Sequence, residues 1–285
     1  MAYGSPNCSH PIDPHFRSFT GDYFSFHGQC DLVLVKSLEF HAGLGLDVHI
    51  RTTRVDNVRF QYSYISSFAM KIGDSVLEIN TDGTLITEDP QLLVGPKKLS
   101  PNDSTIDDPE NERRMFAGMP VTTSFKGHRN NIIVHDISLG GDKSIEVRAN
   151  TKTGILFVDI HGTFPDSMGL LGSSDGMYGR DGVTDMDGLW NTLGEEWQVR
   201  DTEPQLFLDV NRIPQYPYGC TYEEEVKEDL RHRRRLMSDD ADKEFEAAAL
   251  KACDSVSEAL KDFCFADVVA LGDLDLANDP FYSRA

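Results

Sequence analysis

The chain has 285 residues, enough for one large domain with an appendage or for two domains. Its 47 Asp and Glu residues outnumber its 27 Lys and Arg residues, which gives a formal net charge of −20. This charge repels nucleic acid and anionic membrane surfaces, so we expect no nucleic-acid partner. We find no apolar run of about eighteen residues that could span a bilayer, and residues 1–6 lack the basic and apolar regions of a signal peptide.

The first half of the chain carries the pattern of a β protein. Residues 13–30 read Asp-Pro-His-Phe-Arg-Ser-Phe-Thr-Gly-Asp-Tyr-Phe-Ser-Phe-His-Gly-Gln-Cys and lead into the apolar stretch 32–35. Alternation of apolar and polar residues then predicts strands at 46–50, 58–62, 132–137 and 145–147, whereas the nearly continuous apolar run 155–160 predicts a central strand. Turn signals separate these strands at Gly73-Asp74, Asp82-Gly83 and Gly140-Gly141. Many short strands at regular intervals predict a mainly β fold, an antiparallel β-sandwich. Residues 95–118, rich in proline and charge, predict a long exposed loop.

The segment from Gly169 to Gly188 concentrates glycines and oxygen donors more than any other part of the chain. Its six glycines permit positive φ angles and predict a loop. Asp175, Asp181 and Asp185 are among its carboxylates, which repel one another unless a cation lies between them. A hard cation, calcium above all, is therefore one interpretation, and a solvated acidic turn is the other.

A second chemical interpretation of the same loop is a nucleophile elbow. The residues Gly172-Ser173-Ser174-Asp175-Gly176 match the G-x-S-x-G pattern of serine hydrolases, with Ser174 as the nucleophile. That elbow requires a strand before the serine and a helix after it. The glycines that follow Ser174 and the β pattern that precedes it argue against such a context.

Beyond Cys220 the pattern changes from strand to helix. Residues 222–236 are charged and compatible with a helix, and apolar residues recur at helical spacing from Phe245 onwards. Cys253 and Cys264 would lie about 16 Å apart in one unbroken helix, too far for a disulfide. The capping box 255–258 predicts that one helix ends near Cys253 and another begins, so a helical hairpin closed by these two cysteines becomes feasible.

Taken together, the opening motif, the glycine-rich loop, the sequence Gly194-Glu195-Glu196-Trp197-Gln198-Val199 and Cys220 resemble a von Willebrand factor type D domain. The resemblance covers about residues 13–220 and rests on several motifs in the family's order. It implies a leader segment at 1–12, a sandwich of the family's type at 13–220 and a helical extension at 221–285.

The resemblance also implies a set of calcium ligands. Members that bind calcium use the acidic residue of the opening turn together with Asn and Asp side chains of the glycine-rich loop. Carried over position by position, these ligands fall on Thr20, Ser173, Asp175 and Asp181. Asp22, Asp185 and Asp187 could compensate for the altered ones. Since Thr20 and Ser173 offer only neutral oxygens, a bound Ca²⁺ would be held with modest affinity.

The family's disulfide pattern implies that Cys30 pairs with Cys220. The partner that the family would provide for Cys8 is replaced by Leu171, so Cys8 is left as a free thiol or one available to another chain. Some members cleave themselves between Asp and Pro in Gly-Asp-Pro-His, but here Ile12 replaces the glycine, which favours a packing role for residues 14 and 15. The run 231–235 is either a dibasic processing site or the basic face of a helix.

These features lead to one functional expectation and one alternative. The resemblance implies a secreted, extracellular structural, adhesive or assembly module that is not an enzyme. Its partners would be other extracellular proteins or copies of itself. The alternative is a serine hydrolase that uses Ser174.

Overall fold

The structure is a computed structural model that describes residues 14–26, 28–56, 61–87, 114–126, 131–208, 220, 240–258, 260–278 and 282. Its strands are β1 (His15–Arg17), β2 (Tyr23–Ser25), β3 (Asp31–Ser37), β4 (Leu46–Asp56), β5 (Gln61–Ile72), β6 (Ser75–Asn80), β7 (Leu85–Thr87), β8 (Arg114–Phe116), β9 (Met119–Lys126), β10 (Ile132–Gly140), β11 (Lys143–Asn150) and β12 (Ile155–His161). Its helices are α1 (Phe40–Gly43), α2 (Trp190–Glu196), α3 (Asp240–Ala252) and α4 (Lys261–Leu271), with 3-10 turns at Cys253–Ser255 and Leu274–Asn278.

The strands form antiparallel sheets, so the prediction of a mainly β, antiparallel fold is confirmed. β1 and β2 pair with each other. One five-stranded sheet has the order β3-β4-β5-β6-β7, and the other has the order β12-β11-β10-β9-β8. Neighbours in each sheet are consecutive along the chain, because short turns such as those at Gly73 and Gly140 join antiparallel strands directly.

The predicted strands at 46–50, 132–137, 145–147 and 155–160 lie in β4, β10, β11 and β12, but the last is not central. β12 is the end strand of its sheet. It is apolar because both of its faces are covered: Val158 and Ile160 pack against the main core, while Phe157 packs against the C-terminal helices. Burial on two faces produces the same apolar run as a central position, which explains the wrong prediction.

Two other predictions fall partly outside the described residues. The predicted strand at 58–62 overlaps β5 only at residues 61–62. The predicted loop at 95–118 is described from residue 114 onwards, and there Arg114–Phe116 forms β8 and pairs with β9. The sequence signal was missed because β8 has three residues, too few for an alternating pattern to stand out.

The two large sheets share one hydrophobic core, to which β3, β4 and β6 contribute from one side and β10 and β11 from the other. His135 of β10 makes a polar link between the sheets. Its Nε2 donates to the carbonyl of Gly83 in the β6–β7 turn at 3.0 Å, and its Nδ1 lies 3.0 Å from the hydroxyl of Thr123. Because a carbonyl only accepts hydrogen bonds, this geometry places a proton on Nε2 of the imidazole.

The C-terminal helices form a small cluster of their own, which includes Cys253, Leu260, Cys264 and Val268. A disulfide joins Cys253 to Cys264, the pairing expected for a helical hairpin. The second helix begins later than the capping box predicts, because Val256 is extended and Leu260 occupies the N-cap position of α4. Residues 221–239, including Arg231–Arg235, lie outside the described residues. No helix in the described part of the chain is long and apolar enough to cross a membrane.

The buried position of His135 predicts a pH dependence of stability. Burial lowers the pKa of His135 to about 4 from its ordinary value of 6.5. A folded-state pKa below the unfolded value means that the unfolded chain binds the proton first as the pH falls. Stability is therefore fully present above about pH 6.5 and is lost down to about pH 4, by up to about 3 kcal/mol. We expect His135→Gln to reduce the loss of unfolding free energy between about pH 6.5 and pH 4, as measured by denaturant titrations at each pH.

The matched control is His161→Gln, because His161 is exposed at the end of β12. This variant should keep the acid slope of the parent protein. An equal slope for the parent protein and His135→Gln would show that the inter-sheet imidazole does not govern the response.

Candidate functional site: the glycine-rich loop and its anchor

The glycine-rich loop starts as an addition to the free edge of β3. The amide of Lys36 donates to the carbonyl of Met168 at 2.7 Å, and the amide of Leu170 donates to the carbonyl of Val33 at 2.9 Å. Further along the same edge, the amide of Val33 donates to the carbonyl of Trp197 at 2.8 Å. β3 is therefore paired with β4 on one side and with two loop segments on the other, and all of its residues but Lys36 are buried.

Gly169 explains why this contact requires glycine. Its φ angle is 128°, and a Cβ atom added at this position would lie 2.6 Å from the carbonyl oxygen of Leu34. A side chain here would push the loop away from the β3 backbone.

The motif residues that flank the loop meet around the ring of Phe26. This ring is completely buried and lies between two glycines. An added Cβ would lie 2.4 Å from the ring at Gly28 and 2.2 Å from it at Gly194. Beside this joint, Cys30 is bonded to Cys220, the pairing that the resemblance implies. The Gly-x-Cys and Gly-Glu-Glu-Trp sequences are thus two sides of one packed joint.

Arg180 clamps the loop to the strand segment around Trp197. Its Nε donates to the carbonyl of Glu196 at 2.6 Å and its Nη2 to the carbonyl of Gln198 at 2.8 Å. The guanidinium lies 4.8 Å from the centre of the Trp197 ring and also binds the carboxylate of Glu203 at 2.5 Å. Burial raises the pKa of Glu203, but the hydrogen bond and the charge of Arg180 outweigh it and hold that pKa below its ordinary value.

The outer part of the loop is exposed and holds its carboxylates in local turns. Asp181 accepts hydrogen bonds from the amides of Val183 and Thr184 at 2.9 and 2.8 Å and from the Thr184 hydroxyl. These bonds, the hydroxyl bond foremost, lower the pKa of Asp181 to about 2. Asp185 accepts a hydrogen bond from the amide of Asp187 at 3.0 Å. The carboxylates therefore bind backbone donors that would otherwise face water.

The remaining predicted calcium ligands are also engaged close to their own positions. Thr20 donates to Asp22 at 2.5 Å within the opening turn, and the Ser173 hydroxyl accepts from the amide of Asp175 at 3.2 Å. The opening turn and the loop do meet, since the amide of Phe19 donates to the carbonyl of Leu171 at 3.0 Å. Among the described residues there is no group of three or more His, Cys, Asp or Glu side chains that could hold a metal ion.

The surroundings of Ser174 differ from those of a nucleophile elbow. The Ser173–Gly176 backbone bridge makes this segment a tight turn. Ser174 is exposed, and its hydroxyl donates to the carboxylate of Asp175 at 3.3 Å. The next helix, α2, begins only at Trp190. A strand-to-helix turn, the element that exposes and activates such a serine, is not formed here.

Sequence reasoning missed the residues that hold the loop in place. Arg180 was overlooked among the acidic residues, although a single arginine in a run of aspartates is a signal for a structural ion pair. Gly194 carried another signal, because a glycine inside a helical segment indicates close packing when it is not a cap.

The chain was also compared with known proteins. No protein-family model matches it, and a search of curated proteins finds no match.

The packing of Gly194 predicts a reversal of the usual effect of alanine in a helix. Replacing a helical glycine by alanine ordinarily stabilises by up to about 1 kcal/mol. In α2 the new methyl group would lie 2.2 Å from the Phe26 ring, so we expect Gly194→Ala to lower the free energy of unfolding by roughly 1 to 3 kcal/mol. Chemical denaturation measures this difference.

Two further variants make this test specific. Thr192→Ala, at an exposed position of the same helix, should change stability by less than about 0.5 kcal/mol. In the Phe26→Leu background, the smaller side chain leaves room and Gly194→Ala should cost less. A stabilising Gly194→Ala would contradict the packed joint.

Proposed function

We propose that this chain is an extracellular structural or assembly module of the von Willebrand factor type D kind, a β-sandwich with a helical extension. The proposal rests on the resemblance of its motifs and on one observation above all. The residues that make up those motifs converge on the joint of Phe26, Gly28, Gly194 and the Cys30–Cys220 disulfide. The anchored loop presents its outer turn to solvent from a rigid base.

The proposed extracellular location is supported by the cysteines. Two disulfides join four of the five cysteines of the chain. Disulfides of this kind persist in oxidising compartments and are rare in reducing ones. Residues 30 and 220 close a long loop, which restricts the unfolded chain strongly.

The proposed role is non-catalytic. Arg180 is the most highly coordinated side chain of the loop, and its bonds run to backbone carbonyls and to Glu203. Asp181 likewise binds donors of its own turn. Groups used in this way fix a shape, which is what a surface for another protein requires.

We further propose that the loop binds calcium with modest affinity through Asp175 and Asp185, with Ser173 and Thr20 as neutral ligands. Asp181 would join them only by exchanging its bonds to Val183 and Thr184. The donor types suit a hard cation, and the partial engagement of the carboxylates opposes tight binding.

Calcium should therefore raise the melting temperature slightly. An ion that binds only the folded loop, at about ten times its dissociation constant, stabilises by roughly 1 to 2 kcal/mol. We expect millimolar calcium, compared with chelator at equal ionic strength, to give this gain in the parent protein and not in Asp175→Ala. Asp201→Ala, at an exposed position outside the loop, is the control and should keep the gain. Equal melting temperatures with and without calcium in the parent protein would exclude the proposed ion.

The proposed assembly role has its own test. Cys8 lies outside the described residues, and it is the one cysteine outside the two disulfides. We expect sedimentation velocity at rising concentration to show self-association, and non-reducing electrophoresis to show a dimer that is lost in Cys8→Ser. A protein that stays monomeric in both measurements would leave partners other than itself as the proposed ligands. A disulfide from Cys8 to another cysteine of the same chain would contradict the family alignment.

A further inference from the structure

A cavity of about 640 Å³ lies beside the sheets, away from the outer turn of the glycine-rich loop. Its walls are the opening turn, the strand β12 along its whole length, and residues 63–65 of β5. Asp267 of α4 lies at one end. Volumes between about 300 and 1,000 Å³ are typical of pockets that bind small organic molecules.

The lining of this cavity is largely apolar. Leu34, Ile65 and Leu156 are buried members of the main core, and Val158 and Ile160 are half-buried beside them. A mainly hydrophobic wall with a few polar groups is the usual composition of a ligand pocket.

Ser63 is a polar residue of the lining whose hydroxyl has no partner in the described part of the chain. Its side chain is completely buried, and its hydroxyl makes no hydrogen bond among the described residues. It lies in the part of β5 that extends beyond β6, whose pairing with β5 begins only at Ser67. A buried hydroxyl without a partner is unfavourable, because it loses its bonds to water.

The charged groups of the lining are paired with protein groups. Asp159 contacts Arg148 at 3.1 Å, and Asp267 contacts His15 at 3.4 Å and the hydroxyl of Tyr282. Arg17 is exposed and stacks over the ring of Tyr23. In the buried part of the lining, away from the exposed Arg17, a charged ligand would therefore lose its hydration without gaining an unpaired counter-ion.

From these observations we propose that the cavity is a binding site for an uncharged amphiphile, a mostly apolar small molecule with one hydrogen-bonding group. The Ser63 hydroxyl is covered by its neighbours, so binding requires a small shift of the side chains around it. The polar group of the ligand then binds this hydroxyl, and the apolar body packs against Leu34, Ile65 and Val158. Leu171 of the glycine-rich loop and Thr20 of the opening turn also line the cavity. The proposed polar anchor and apolar contacts use neither residue, so this inference does not depend on the proposed function.

The first test uses N-phenyl-1-naphthylamine, an uncharged apolar fluorophore with a single N–H group. We expect saturable binding with a rise in fluorescence in the parent protein. Ser63→Ala should weaken this binding by about threefold to tenfold, the contribution of one neutral hydrogen bond. The same variant should be at least as resistant to denaturant as the parent protein, because it removes an unpaired buried hydroxyl. Ser174→Ala, an exposed serine in the loop, should bind like the parent protein.

The second test fills the cavity. Val158→Trp places a larger side chain in the wall and should abolish binding, whereas Val183→Trp, at a loop position that is 79% exposed, should leave it unchanged. Melting curves of both variants report whether each is folded. If Val158→Trp unfolds, Ser63→Ala decides the matter alone.

The third test separates uncharged from charged ligands of one chain length. Decan-1-ol should displace the fluorophore at lower concentration than decanoate does. The absence of saturable binding in the parent protein would overturn the site. Unchanged affinity in Ser63→Ala would overturn the polar anchor, and equal or better displacement by decanoate would overturn the uncharged class.

Discussion

The second edge of β3 is the constraint on which the rest of the structure depends. β3 is buried almost throughout, and a buried strand cannot leave a row of amides and carbonyls unpaired. In the described part of the chain, no regular strand fills this edge. Residues 168–171 pair with one half of it and residues 197–199 with the other. The chain between these segments is therefore held at both ends, and the loop acquires a fixed base although it has little regular structure.

The same constraint accounts for the composition of the loop. Close approach to the β3 backbone demands glycine at position 169, where a side chain would strike the carbonyl of Leu34. Return of the chain at 197–199 places Trp197 in the core, where its indole donates to the carbonyl of Tyr178 at 3.1 Å. Arg180 then pairs with Glu203 and donates to the backbone carbonyls of Glu196 and Gln198 on this returning segment. The aspartates of the outer part of the loop take no part in these contacts of Gly169, Trp197 and Arg180.

The features of the fold that can be predicted from the sequence are those whose signal lies within one short segment of the chain. Alternation in β10 and β11 is a local property, so these strands could be predicted from it. The edge position of β12 could not, because helices from the far end of the chain cover one of its faces through Phe157. The sequence also could not predict that the hydroxyl of Ser63 has no partner in the described residues, because this depends on where β6 stops pairing with β5. Carboxylates close in sequence suggested a shared ion, yet Asp181 and Asp185 each bind the amides that follow them.

The helical extension and the cavity are coupled by their shared boundary. Each disulfide lies within one part of the chain, so in the described residues the helices join the sheets through non-covalent contacts: the packing of Tyr23 and Phe157, the Lys152–Asp273 ion pair and the His15–Asp267 contact. Phe157, His15 and Asp267 also line the cavity. A ligand that touches both sides would strengthen the junction by the difference between its binding free energies to the docked and undocked states, and docking of the helices would strengthen ligand binding by the same amount. Occupancy of the proposed site and attachment of the helices are thus expected to be linked equilibria, each of which shifts the other.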